Sequence, residues 1–203
     1  MLIRLTVKNS PCSSFFLKRF IIGCSVVLLN DFVDLFKIPV FIGSIDEKKI
    51  NIKNKVFKKT FLSNTPTTFK DSWALENLEN IDYLLKTICK ILEEKIKYFF
   101  EIKLINIWEN NYVDNDFQEP HIHPDSDFSF IIYKKVDEGK TVFINPIRNF
   151  LMIYKNINHM YDEVFIPKCK TGQIIIFPSF LEHMVLKSKN QKTISGNIKF
   201  IKK

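Results

Sequence analysis

The chain has 203 residues, 46% of them hydrophobic, with 20 Phe and only 5 Gly. That composition excludes a collagen-like or linker-rich polypeptide and is enough for one sizeable core. The net charge of +8 comes from lysines scattered among Asn and Ile, with no dense basic block and no RNA-type aromatic motif. It reads as solvated strand faces and not as a nucleic-acid surface.

In chain order, the first apolar run is "FIIGCSVVLL", Phe20 to Leu29, behind Lys18 and Arg19. It is too short for a membrane span, which needs about 20 apolar residues, and no small-residue cleavage site follows. A buried first strand, a weak anchor and a mis-assigned start all stay open, so residues 1–33 are set apart as an extension and 34–203 are taken as a single domain. "LFKIPVFIGSI", Leu35 to Ile45, is β-branched and aromatic with an internal Pro, and predicts an edge strand. Leu78, Ile81, Leu85, Ile88 and Leu92 then recur at steps of three and four, predicting the apolar face of a packing helix over about 73–99.

After residue 100 the period falls from 3.6 to 2. "IKLINIWENNYV", "DFSFIIYKK", "KTVFINPI", "EVFIP", "GQIIIFPS", "HMVLKS" and "KTISGNIKFI" are short apolar runs divided by turn residues. Such runs after one long helix predict a mainly β fold, an antiparallel jelly roll backed by that helix. Cys12, Cys24, Cys89 and Cys169 form no CxxC pair, which is neither a zinc knuckle nor a secreted disulfide scaffold and fits reduced thiols in a cytoplasmic protein.

The chemistry concentrates in "EPHIHPDSDFSFIIYKK". Residues i and i+2 of a strand share a face, so His121 and His123 project together, and Pro124 ends the strand beyond them. Two imidazoles are half of a divalent-metal site. His183, at the start of a distant strand after Pro178 and Ser179, is placed to complete a facial set with open positions for other ligands. A polar turn with three unrelated histidines is the bland alternative. His159, in "NINHMYDEV", has no comparable context.

From about Leu35 onward the chain resembles the 2-oxoglutarate and Fe(II)-dependent oxygenases of the prolyl-4-hydroxylase-like type found in marine bacteria and phages. The resemblance is carried by Trp108, Asn110, His121, His123, Pro124, Ser126, Ser129 and Tyr133 in order, then by Gly172, Phe177, Pro178, Ser179, Leu181, His183 and Val185. "SGNI" at Ser195 to Ile198 and "KDSW" at Lys70 to Trp73 add to it. It implies a cupin-like double-stranded β-helix in which His121, His123 and His183 bind one Fe(II). Cosubstrate 2-oxoglutarate and O₂ would be consumed, releasing succinate and CO₂ as a peptidyl or small-molecule substrate is hydroxylated.

Two features depart from the family pattern. The common ligand set is His-x-Asp with a distal His, and this sequence also offers His123-Pro-Asp125, so the choice of register stays open. Asp125 and Asp127 are candidates for a carboxylate near the metal. The distal carboxylate of 2-oxoglutarate is commonly met by an Arg after the distal His, and "NQKTISGN" has none. Lys192, on the face of Ile194 and Gly196, is the nearest cation and the expected anchor, although an ammonium lacks the fork of a guanidinium. Tyr133 could add a hydroxyl to that carboxylate. Asn145 and Arg148 in "FINPIRNF" read first as a turn and only second as substrate contacts. The rival readings are a cupin-like metalloprotein that does not use 2-oxoglutarate, and a structural jelly-roll module.

Overall fold

The computed structural model describes residues 37–60, 63–69, 73–94, 96, 101–136, 139–154, 156 and 160–201, and the backbone of 20–22 and 25–27. His159 and "KDS" of "KDSW" lie outside them. The chain divides into two compact units, Met1–Lys37 and Ile38–Lys203. Within the first, β1 (Phe20–Ile22) and β2 (Ser25–Val27) pair antiparallel, Phe20 opposite Val27.

The second unit begins with β3 (Phe41–Ser44), a 3₁₀ turn at Glu47–Lys49, β4 (Asn51–Ile52), β5 (Lys58–Thr60), β6 (Ser63–Thr67), α1 (Trp73–Glu76), β7 (Leu78–Glu79) and α2 (Ile81–Glu93). There follow β8 (Glu101–Tyr112), β9 (Asp116–His121), β10 (Phe128–Lys135), β11 (Thr141–Ile144), α3 (Arg148–Ile153), β12 (Val164–Phe165), β13 (Gln173–Pro178), β14 (His183–Ser188) and β15 (Gln191–Ile201). All seven alternating runs after residue 100 are strands.

Their pairing is that of a jelly roll. One antiparallel sheet runs β8-β15-β10-β13 and is extended at its edge by β3, the Pro-flanked strand. The other runs β9-β14-β11-β12. Short β6 bridges the two, pairing with β8 at Thr67–Asn110 and with β9 at Ser63–Gln118. Consecutive strands β9 and β10 therefore lie in opposite sheets, as do β13 and β14, and these two crossings lie side by side, where the His123 N–H meets the Ser179 carbonyl.

The four-stranded sheet β8-β15-β10-β13 has two unlike faces. Leu104, Ile107, Phe130, Ile132, Ile174, Ile176, Ile194 and Ile198 form one apolar core with Leu84, Ile88 and Leu92 of α2. Each of those helix leucines and isoleucine is 0% exposed, worth roughly 1.5–3 kcal/mol of burial apiece. A bulge that sets Asn106 opposite Asn197 and Leu104 opposite Ile198 skips Ile105, which keeps Leu104 and Ile107 on one face. The opposite face carries Trp108, Ser129, Ile131, Tyr133, Gln191, Thr193 and Ser195.

The helix is shorter than the spacing predicts. Asn80 sits in the left-handed region at φ 58° with its Nδ2 donating to the Lys49 carbonyl at 2.7 Å, and Leu78–Glu79 pair with Asn51–Ile52 as a two-stranded ribbon. Those backbone groups are already committed, so the helix starts at Ile81. Its buried stripe is Leu84, Ile88 and Leu92, while Ile81 is exposed and Leu85 half-buried.

Candidate metal centre

Strand β9 ends at His121, which stands directly opposite His183, the first residue of β14. The chain then leaves the sheet, and His123 is held by its own N–H, which donates to the Ser179 carbonyl at 3.0 Å. The alternation rule thus brings His121 and His123 together, although His123 lies two residues past the strand end. Their rings are 5.0 Å apart centre to centre, His121 and His183 4.3 Å, and His123 and His183 5.1 Å. One ligating atom from each of the three lies within 4.8 Å of the others.

Two of the imidazoles are oriented by the same local device. His121 Nδ1 is 2.7 Å from the Glu119 carbonyl and His183 Nδ1 is 3.0 Å from the Leu181 carbonyl. Each carbonyl accepts the Nδ1–H of a residue two further on, which fixes the tautomer and leaves Nε2 with a free lone pair. Burial holds all three rings in the neutral form that binds metal. It lowers the pKa of His121, and it takes His183, which also feels its two neighbours, well below the ordinary value. His123 is pushed down to about 3, by burial first and by His121 second.

The surroundings are aromatic on two sides. Phe177 meets His183 edge-on at 4.7 Å, with Phe143 at 5.9 Å. Trp108 lies 5.5 Å from His123 and is itself met edge-on by Phe69. The cavity in front of the histidines is lined further by Tyr112, Gln118, Ile131, Thr141, Val185, Gln191, Thr193 and Ser195. Three neutral imidazoles presenting nitrogen at one point, beside an aromatic wall, fit a first-row divalent cation with coordination positions to spare.

A serine chain braces the loop between β9 and β10. Ser126 Oγ stands 3.1 Å from the His123 carbonyl oxygen and 2.9 Å from Ser179 Oγ, its single proton shared between them, and Ser179 Oγ meets Ser129 Oγ at 2.9 Å. Ser129 then donates to Asn197 Oδ1 at 2.7 Å. This accounts for the serines of "HPDSDFS" and "FPS", and for the Asn of "SGN". Between them Gly196 leaves no room for a side chain, since a Cβ there would stand 2.5 Å from Phe130 Cζ and 2.7 Å from the Asn106 carbonyl oxygen.

Several predicted residues are elsewhere. Asp125 is exposed, at φ 65°, and is not among the converging ligand atoms. Asp127 Oδ2 accepts the Phe200 N–H at 2.7 Å, so it ties the loop to β15 and does not orient an imidazole. The carboxylate felt by His121 is Glu182. Lys192 is exposed. It shares a strand face with Ile194 and Gly196, as predicted, but that is the α2-side face, while its neighbours Gln191 and Thr193 face the histidines. Tyr133 is 0% exposed, on the histidine side, with its hydroxyl 2.8 Å from Thr141 Oγ1. Asn145 caps a turn, bonding Asp162 and Ile147, and Arg148 pairs with Glu163 at 3.4 Å. Gln191, Thr193, Tyr112, Gln118 and Thr141 are cavity residues that the spacing does not single out. Their one advance signal is strand parity, which has meaning only once the inward face is known.

Residues 106–195 match a family model described as "Putative 2OG-Fe(II) oxygenase". No curated protein sequence matches the chain. Among solved structures, the chain is similar to an oxidoreductase of the 2OG-Fe(II) oxygenase family from Burkholderia pseudomallei, with a TM-score of 0.41 and 13% identity over 79% of this chain and 68% of that one. A Pseudomonas putida prolyl-4-hydroxylase gives 0.44 and 12%, over 75% and 78%. HygX from Streptomyces hygroscopicus, solved with nickel and 2-oxoglutarate, gives 0.45 and 8%, over 72% and 74%.

Proposed function

We propose that this chain, which matches the oxygenase model over residues 106–195, is a 2-oxoglutarate- and Fe(II)-dependent oxygenase, and that His121, His123 and His183 are the ligands of its iron. We propose further that its substrate is peptidyl or a small molecule. The observation that supports the ligand set is the convergence of the three rings, with Nδ1 of His121 and His183 turned away onto carbonyls and Nε2 left for a metal. The alternative register through Asp125 would turn an exposed side chain inward from a backbone in the left-handed region.

Iron and 2-oxoglutarate, when bound, supply the oxidising chemistry, with succinate and CO₂ as co-products. The protein's own part is positional. The two sheets set His121 opposite His183, the Ser179 carbonyl and the serine chain hold His123, and Phe177, Phe143 and Trp108 keep water from the inner side of the centre. Three neutral ligands leave the bound cation its full charge of 2+, which favours anionic ligands at the open positions.

The test is anaerobic. Fe(II) and then 2-oxoglutarate are added to the purified full chain while visible absorption is recorded. A charge-transfer band that needs both additions, and that is absent in His183→Ala, is the expected result. Iron uptake without a band would turn the reading toward a cupin-like metalloprotein, and failure to bind any divalent cation would end it. Among the described residues no helix is long and apolar enough to cross a membrane.

A further inference from the structure

2-Oxoglutarate carries a carboxylate at each end, and the cavity must satisfy the one far from iron. Among the described residues lining it there is no Lys or Arg. The nearest basic residue in sequence, Lys192, points from the opposite face of β15. The face that does look toward the histidines offers neutral donors instead.

Gln191 stands out among them. It is 0% exposed, it lines the cavity with the three histidines, and its amide is held in one sense: Ser188 Oγ donates to Oε1 at 3.1 Å. That leaves Nε2 buried with no hydrogen-bond partner. An unpaired buried amide N–H costs about 1–3 kcal/mol, and a donor left so in a cavity is satisfied when an acceptor enters. Tyr112 stands opposite Gln191 across the β8–β15 ladder, and its hydroxyl donates to Gln118 at 3.3 Å. Thr193, two residues along the same face, lies within 3.5 Å of Asn110 Nδ2 through its hydroxyl oxygen. Burial pushes the Tyr112 phenol up, so it keeps its proton and remains a donor.

We propose that the distal carboxylate of the cosubstrate is received by a neutral cradle, with Gln191 Nε2 as its principal donor and the Tyr112 and Thr193 hydroxyls beside it, and not by a lysine. This rests on the oxygenase reading above. Recognition then comes from hydrogen bonds to a charged acceptor without a counter-ion. Its consequence is that 2-oxoglutarate binding depends on residue 191 and is indifferent to residue 192.

The experiment titrates 2-oxoglutarate, and separately 2-oxovalerate, which lacks the distal carboxylate, into the anaerobic Fe(II)-loaded full chain, reading Kd from the charge-transfer band. Gln191→Ala is expected to weaken 2-oxoglutarate roughly tenfold or more while leaving 2-oxovalerate unchanged. Gln191→Glu, which keeps the shape and adds a repelling charge, is expected to weaken 2-oxoglutarate further, and Lys192→Ala to change neither. Thermal unfolding of each variant separates a lost contact from a lost fold. Equal Kd values for 2-oxoglutarate in wild type and both Gln191 variants, or a selective loss in Lys192→Ala, would overturn the cradle while leaving the oxygenase intact. Absence of a band with either keto acid in the wild type would overturn both.

Discussion

The two faces of the sheet β8-β15-β10-β13 are made by the same strands and do opposite work. On one, Ile107, Phe130, Ile132, Ile174, Ile176, Ile194 and Ile198 pack with α2 into an apolar core, and the buried Glu109 beside them is paired with Lys55. On the other, Trp108, Asn110, Tyr112, Ser129, Tyr133, Gln191, Thr193, Ser195 and Asn197 bring hydroxyls, amides and rings toward three imidazoles. The first face gains stability from apolar area removed from water. The second gives some of that up, since each buried polar atom there has to find a partner. A strand residue moved by one position changes from one regime to the other.

Substitutions that separate the two faces sharpen this contrast. The largest expected effect is His183→Ala. Iron affinity should fall by more than the roughly 10–100-fold that losing an orienting partner costs, measured by anaerobic metal titration, with the far-ultraviolet circular dichroism of the fold retained. Phe130→Ala on the apolar face should do the reverse, costing about 3–5 kcal/mol in denaturant unfolding with iron affinity unchanged in the fraction still folded. Gly196→Ala should cost about 1–3 kcal/mol, because its Cβ would collide with Phe130 and with the β8 backbone. The unfolding midpoint reads that change. If Gly196→Ala were neutral, β15 would be packed less tightly between β8 and the Phe130 ring than the ladder implies.

Smaller effects probe the loop. Ser129→Ala breaks the chain between Ser179 and Asn197 and leaves Asn197 Oδ1 without its donor. A loss of about 1–3 kcal/mol in stability is expected, together with a weaker hold on iron, since Ser179 supplies the carbonyl that anchors His123. Lys192→Ala should move neither stability nor cosubstrate affinity by more than about 0.5 kcal/mol, because the residue is exposed. A larger response in a 2-oxoglutarate titration would place its ammonium on the histidine side of the strand.

The parts of this architecture carried by local period were legible before any coordinates. Seven runs alternating at period 2 are strands, the Pro-flanked "FIGS" segment is an edge strand, and His121 and His123, two apart, do converge with His183. The helix boundary was not legible, because Leu78 keeps the helical spacing while its backbone is claimed by β4, and the left-handed Asn80 lets the helix begin only at Ile81. The strand β6 that bridges the sheets, with its Thr and Pro, has no apolar alternation to announce it.

What the sequence determined by itself is therefore the list of strands, the strand ends that bring the histidines together and the residues sharing a face. What only the tertiary structure decided is which face is which. Alternation divides β15 into Lys192, Ile194, Gly196 and Gln191, Thr193, Ser195, one set mixed and the other wholly polar, and a polar set reads as readily as a solvated face as it does as a site. The packing of α2 against Ile194 and Ile198 takes one set for the core. The other is left to face the histidines, and that choice is made by contacts more than a hundred residues away in the chain.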